Sequence, residues 1–205
     1  MNIWVMNIWR NRLMEIEEKN LLDLFYADQH LMTIVKIIRE LNLQDSWLAA
    51  GSVRNFIWNH LSGREKFDFE TDIDVIFFDP TVSYEETLQI EKRLREAHPL
   101  YRWEVKNQVY MHIHSPNTKP YTSSQDAMSR YPETCTALGL RLLKNDYLEL
   151  FTAYGLTDLV NFQVNPTPHF LADEERIKLY RERLEKKNWQ SKWPRLDIYL
   201  LEKET

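Results

Sequence analysis

Residues 72–78 read DIDVIFF, and this stretch indicates the fold more clearly than any other part of the chain. Its β-branched and aromatic residues are typical of a buried strand, which Pro80 would end. Residues two apart on a strand point to the same face of a sheet, so Asp72 and Asp74 are predicted to lie side by side. Two neighbouring carboxylates on an apolar strand repel each other and are costly to desolvate without a counter-charge. The stretch therefore predicts a strand that carries an acidic site.

The acid pair is typical of a metal site with hard oxygen ligands, which favours Mg²⁺ or Mn²⁺. The short motif leaves an alternative open, in which Asp72 caps the preceding loop and both acids are solvated. Glu104 lies in the middle of another strand, predicted over residues 101–105. It would complete the metal site if that strand lies beside the first one, and otherwise it is an outward-facing strand acid.

A strand-to-helix turn precedes the acid pair along the chain. The short apolar run of residues 47–50 ends at Gly51-Ser52, and apolar residues then recur at helical spacing up to Gly63. The N-terminus of a helix carries free N–H groups and a partial positive charge, which suit a phosphate, and glycine lets the phosphate approach the backbone. Ser52 adds a hydroxyl group and Arg54 a guanidinium. The turn and the acid pair together indicate a site for a metal–nucleoside triphosphate complex.

Composition excludes several classes of protein. The chain has 205 residues, enough for one domain with a helical extension, and its 4 glycines argue against Rossmann or Walker loops. A net charge of −5 argues against duplex DNA as a partner. The single Cys135 rules out an internal disulfide and is interpreted as a buried apolar residue. No apolar run is long enough to cross a membrane, and Met1–Arg10 lacks signal-peptide features, so a cytoplasmic location is predicted.

The pattern along the chain predicts an α/β protein of the α+β type, with a small mixed sheet and flanking helices. Residues 1–45 form an N-terminal helical segment of two helices with a break near Asn20, packed on a core of residues 46–166. Residues 167–205 supply a C-terminal helix and tail of the same domain. The segment 166–168 is interpreted as a linker, and the charged run 174–187 as a solvated helix face.

Five segments strengthen this interpretation by their order along the chain: AGSVRN at 50–55, DIDV at 72–75, WEVKNQ at 103–108, YPET at 131–134 and YGLTDL at 154–159. Together they resemble a bacterial nucleotidyltransferase-like family. That family belongs to the superfamily of DNA polymerase β and of the head domain of CCA-adding enzymes. The similarity covers about residues 47–166, and it implies the nucleotidyltransferase fold.

The resemblance also implies residue roles. Gly51 and Ser52 would hold the triphosphate, Asp72 and Asp74 would bind the metal ions, and Glu104 would take the place of the third acid. The chain departs from the family pattern in two respects. The gap between the turn and the acid pair is longer than in minimal members, and the third acid is Glu rather than the commoner Asp.

The function predicted on these grounds is metal-dependent transfer of a nucleoside monophosphate from an NTP to an acceptor hydroxyl. The acceptor stays open among small molecules, RNA and proteins. A catalytically inactive nucleotide-binding or regulatory module with the same fold is the main alternative. A glycosyltransferase that uses the acid pair to hold a metal–sugar-nucleotide is a further one.

Overall fold

The structure, a computed structural model, describes residues 18–200. The segment Met1–Arg10 and the start of the first predicted helix lie outside the described residues. A five-stranded sheet forms the centre, with the strand order β3-β2-β1-β4-β5. The parallel pair β2–β3 adjoins three antiparallel pairings. The strands are β1 (Trp47–Ala49), β2 (Ile73–Phe77), β3 (Trp103–Asn107), β4 (Leu138–Leu142) and β5 (Leu148–Thr152).

Helices surround this sheet. They are α1 (residues 18–26), α2 (Gln29–Glu40), α3 (Gly51–Leu61), α4 (Tyr84–Ala97), α5 (Gln108–Met111), α6 (Ser124–Ser129), α7 (Thr157–Val160), α8 (Pro168–Leu171) and α9 (Glu174–Lys187). Two short parallel strands, β6 (Gln163–Val164) and β7 (Asp197–Ile198), form a second sheet. The α/β class with a small mixed sheet and flanking helices is confirmed. Among residues 18–200, no helix is both long and apolar enough to cross a membrane.

The two faces of the central sheet differ because alternate residues of each strand point to opposite sides. One face supplies Leu48, Val75, Val105 and Leu140 to the main core, which the helices cover. The other face carries Trp47, Ala49 and Ile76, which form a smaller apolar cluster with Met128 of α6. Asp74 lies two residues from Ile76 and therefore projects from the side of the smaller cluster.

The connection between β2 and β3 makes these two strands parallel. Ser83 begins α4 with a capping box, in which the serine hydroxyl accepts from the Glu86 N–H and the Glu86 carboxylate accepts from the Ser83 N–H. Helix α4 then covers the open edge of β3: Arg95 donates to the Trp103 carbonyl at 2.8 Å, and Glu91 accepts from the Val105 N–H at 2.8 Å. This crossover brings Glu104 beside the acidic strand.

The described part of the C-terminal tail packs back on the body of the protein. Trp58 of α3 is fully buried, and its ring lies 5.1 Å from that of Trp193 and 6.0 Å from that of Trp189. The N–H of Tyr199 donates to the carbonyl of Val164 at 3.0 Å, which extends the pairing of β7 with β6. Aromatic packing thus joins α3 to the end of the described chain.

Four local predictions were wrong in whole or in part. The break between the first two helices lies at Ala27–Asp28, where Asp28 caps α2, and not near Asn20, which is helical. The third strand begins at Trp103, because the Tyr101 N–H instead joins the turn after α4. The predicted linker at 166–168 contains the fully buried Thr167, which caps α8. The predicted solvated face of α9 is present for most of its charged residues, but Arg176 is buried and Arg183 is ion-paired with a buried acid.

Candidate active site

The acids of β2 and β3 meet at one corner of the sheet. Asp74 and Glu104 are partners in the parallel register, so their side chains project from the same face. Lys106, two residues further along β3, places its Nζ atom 3.1 Å from Asp74 Oδ1 and 2.5 Å from Glu104 Oε2. Asp72 lies directly before β2, and its Oδ1 is 3.4 Å from Arg102 Nε. These five charged side chains are referred to below as the acid corner.

Electrostatic effects within the acid corner are strong. The pKa of Asp74 is raised, mainly by burial and further by the charges of Glu104 and Asp72. Lys106 lowers this pKa but does not outweigh burial. The hydrogen bond from Lys106 holds the pKa of Glu104 below its ordinary value. Burial lowers the pKa of Lys106, but the two carboxylates outweigh burial and raise it. The lysine therefore acts as the counter-charge that the two acids share.

The N-terminus of α3 opens beside Asp74. Its N-cap residue, Ala50, provides no side-chain hydrogen bond to the first turn, so the first N–H groups of the helix lack a capping group. Ala50 also has φ 52°, a left-handed conformation that costs free energy for a residue with a side chain. A methyl group at Gly51 would lie 3.7 Å from Asp74 Oδ2, so glycine keeps the approach to this carboxylate open.

Two polar side chains attach α3 to the start of the acidic strand. The Ser52 hydroxyl donates to the backbone carbonyl of Asp72 at 2.9 Å, and Asn55 donates to the Thr71 hydroxyl at 3.1 Å. Ser52 is buried, and its hydroxyl is engaged in this bond. The structure thus brings the turn and the acid pair together and joins them directly.

Arg54 lies beneath the turn rather than over it. It is buried, donates to the Thr136 hydroxyl at 2.8 Å, and places its guanidinium carbon 4.1 Å from the centre of the Trp189 ring. Burial lowers its pKa to about 10. The structure therefore shows Arg54 as part of the packing below Gly51, and its contact with a nucleotide stays a prediction.

The acid corner has suitable donors for a hard divalent cation, since it carries three carboxylates. Within residues 18–200, however, no three His, Cys, Asp or Glu side chains are arranged as a ready metal site. The ammonium of Lys106 is the cation that lies between Asp74 and Glu104. The donor chemistry fits Mg²⁺ or Mn²⁺, and a metal ion held by Glu104 would have to replace this lysine contact.

The sequence left open whether Lys106 contacts substrate or ends the strand, and it did not predict that Lys106 and Arg102 pair with the acids. Lys106 lies two residues after Glu104 in β3, and Arg102 lies two residues before Glu104, directly ahead of the strand. This two-residue spacing was the available signal that the side chains share a face. Sequence reasoning interpreted Cys135 correctly as a buried residue. Its burial raises its pKa to about 12, which excludes a ready thiolate nucleophile at neutral pH.

Replacing Lys106 by methionine is expected to lower the free energy of unfolding at neutral pH by about 1–2 kcal/mol, between the values for exposed and buried ion pairs. Without the ammonium, two carboxylates face each other across the parallel strands. The loss should shrink as the pH falls through the carboxylate pKa values, because protonated acids no longer repel each other. Urea unfolding at neutral and mildly acidic pH measures this difference. Lys92→Met on the exposed side of α4 is the control, and a loss that does not vary with pH would contradict the assignment.

Comparisons with known proteins identify the family and support the fold. A family model described as Nucleotidyltransferase matches residues 36–198. A protein whose NMR structure is described as revealing a CCA-adding enzyme head domain is 62% identical, with a TM-score of 0.85, and the match covers 89% of this chain and 96% of that one. None of the curated proteins matches the chain.

Larger enzymes share the fold at low identity. The CCA-adding enzyme of Thermotoga maritima, complexed with tRNA, is 14% identical with a TM-score of 0.50, and the match covers 88% of this chain and 42% of that one. A tRNA-processing enzyme in an apo form is 17% identical with a TM-score of 0.50, and the match covers 79% of this chain and 44% of that one. The chain thus spans less than half the length of these enzymes. The family match and the close structural relative establish that the chain belongs to the nucleotidyltransferase family.

Proposed function

We propose that the protein transfers a nucleoside monophosphate from an NTP to an acceptor hydroxyl, with a divalent cation at the acid corner. The observation that carries this proposal is the position of Asp74, in register with Glu104 and next to the uncapped N-terminus of α3. Carboxylates for a metal ion and N–H groups for phosphate then lie side by side, as a metal–nucleotide complex requires.

In this reaction, the acceptor oxygen forms a bond to the α-phosphorus and the bond between the α- and β-phosphates breaks. Pyrophosphate leaves, and the proton of the hydroxyl passes to solvent. Asp72, Asp74 and Glu104 would hold Mg²⁺ or Mn²⁺, which when bound neutralises phosphate charge and polarises the attacking hydroxyl.

The remaining residues of the site would bind and orient the substrate. The N–H groups at the start of α3, beginning at Gly51 and Ser52, would donate to phosphate oxygens. The link from Ser52 to Asp72 would keep these donors at a constant position relative to the acids. Such fixed donors and charges are the main requirement of phosphoryl and nucleotidyl transfer, which needs no covalent nucleophile.

The inactive nucleotide-binding module remains a second candidate because of Lys106. Its ammonium already neutralises two of the three acids. A site that binds no metal ion would keep this lysine as the counter-charge of the acids. The glycosyltransferase alternative assigns no role to the N-terminus of α3, and the family match is to nucleotidyltransferases.

Release of pyrophosphate separates the two candidates. The protein would be incubated with a mixture of the four NTPs, Mg²⁺ and pooled acceptors from three classes: small molecules, RNA and proteins. The proposal predicts pyrophosphate release that requires an acceptor pool and stops with EDTA. Tight NTP binding without release in any pool would favour the inactive module, and release that persists in EDTA would contradict a metal-dependent reaction.

A further inference from the structure

A fully buried carboxylate lies on the segment before β4. Glu133 has an exposed fraction of 0%, and its Oε1 atom accepts a hydrogen bond from Arg183 Nε of α9 at 2.7 Å. Among the described residues, its second oxygen has no hydrogen-bond partner. Burying a carboxylate in this way costs free energy. The ion pair between Glu133 and Arg183 is therefore not explained by stabilisation of the fold alone.

The Arg183 side chain is only partly buried. Its side chain has an exposed fraction of 33%, although its partner is buried. Within residues 18–200, Nε is the single nitrogen of Arg183 that has a hydrogen-bond partner. The two terminal nitrogens therefore remain available as donors, while Glu133 restricts the direction in which they point.

Arg183 shares an aromatic neighbour with Arg54, the residue below the turn that begins α3. Its guanidinium carbon is 5.8 Å from the centre of the Trp189 ring, which Arg54 also contacts. The Nη2 atom of Arg54 would in turn lie 3.9 Å from a methyl group at Gly51, whose other neighbour is Asp74. One aromatic ring thus connects Arg183 with the residue below the proposed phosphate site.

Two cations of α9, Arg183 and Lys187, interact electrostatically with acids of the acid corner. Burial lowers the pKa of Arg183, but the charges of Glu133 and Asp74 outweigh burial and raise it. Lys187, one turn further along α9, is among the cations that lower the pKa of Glu104, after the larger effect of Lys106. Arg183 and Lys187 of α9 are thus electrostatically coupled to Asp74 and Glu104, respectively.

We propose that Arg183 binds the phosphate groups of the nucleotide that leave as pyrophosphate, and that Glu133 positions it for this contact. A guanidinium forms paired hydrogen bonds with phosphate oxygens, and its planar shape suits an anion better than a lysine does. A corner rich in carboxylates repels a polyphosphate unless cations compensate, and Arg183 supplies one from outside the two acidic strands. This inference rests on the proposed function, because it assigns a ligand to the same site.

Binding of pyrophosphate in the presence of Mg²⁺, measured by calorimetry on the full chain, tests the proposal. Arg183→Gln is expected to weaken binding by about 10- to 100-fold, the effect of losing a hydrogen bond between charged groups. Arg183→Gln also leaves Glu133 buried without its cation, so this variant is expected to be less stable. The double variant Glu133→Gln, Arg183→Gln removes both charges and should recover stability while binding pyrophosphate as weakly as the single variant.

A matched control lies on the same helix. Lys178→Gln changes the charge by the same amount at a side chain with an exposed fraction of 77%, and it should bind pyrophosphate like the unaltered protein. Recovery of both stability and binding in the double variant would show that Arg183 has a structural role, and would overturn the inference. Equal binding by the unaltered protein and all variants would overturn the inference alone. Absence of binding by the unaltered protein would overturn the proposed function with it.

Discussion

Replacing both Asp72 and Asp74 by asparagine should abolish Mg²⁺-dependent NTP binding and reduce pyrophosphate release by at least about 100-fold, the scale of losing one charge-stabilising group. Asparagine keeps the shape of each side chain but removes the charges that a divalent cation needs. The fold should survive, because Lys106 retains Glu104 as its partner. Calorimetry with each NTP and an assay of pyrophosphate release measure the two effects, and circular dichroism checks the fold.

The control for this experiment changes one acid far from the site. Glu96→Gln removes a carboxylate on the exposed side of α4, where its partner is Lys92 at 4.0 Å. It should bind NTP and release pyrophosphate at the level of the unaltered protein. If the double variant bound NTP with unchanged affinity in Mg²⁺, the acid pair would have no part in the metal–nucleotide site and the proposed function would fail.

The second large effect concerns stability. Trp58→Ala is expected to lower the free energy of unfolding by about 3–5 kcal/mol, the range for truncating a buried aromatic residue. The ring of Trp58 is fully buried, and its Nε1 donates to the Leu159 carbonyl at 2.9 Å. It also packs against the rings of Phe162 and Trp193, so its loss would leave a cavity between α3 and the C-terminal tail.

Urea unfolding followed by circular dichroism measures this loss. Trp58→Phe should cost less, because it keeps an aromatic ring and removes only the hydrogen bond and part of the volume. Tyr147→Ala is the control, since this large side chain is exposed near the tip of the β4–β5 hairpin and should change stability by less than about 0.5 kcal/mol. A change of that small size for Trp58→Ala would contradict the view that the tail and α3 share one core.

Local sequence patterns were sufficient for much of the site. The β-branched and aromatic residues of 72–78 predicted a strand with two acids on one face, and Gly51-Ser52 after a short apolar run predicted a strand followed by a helix. Both elements are present, as β2 and α3. Such patterns succeed because the two-residue period of a strand and the start of a helix depend on neighbouring residues.

Contacts between distant segments were beyond the reach of the same patterns. Glu104 meets Asp74 because the α4 crossover makes β2 and β3 parallel in one particular register. The inward position of Arg54 depends on Thr136 and Trp189, and the burial of Glu133 depends on Arg183, fifty residues away. The sequence alone determined which strand carries the acids and which helix begins beside it. The tertiary structure decided which cations face those acids, because the direction of a long charged side chain depends on the segments that pack around it.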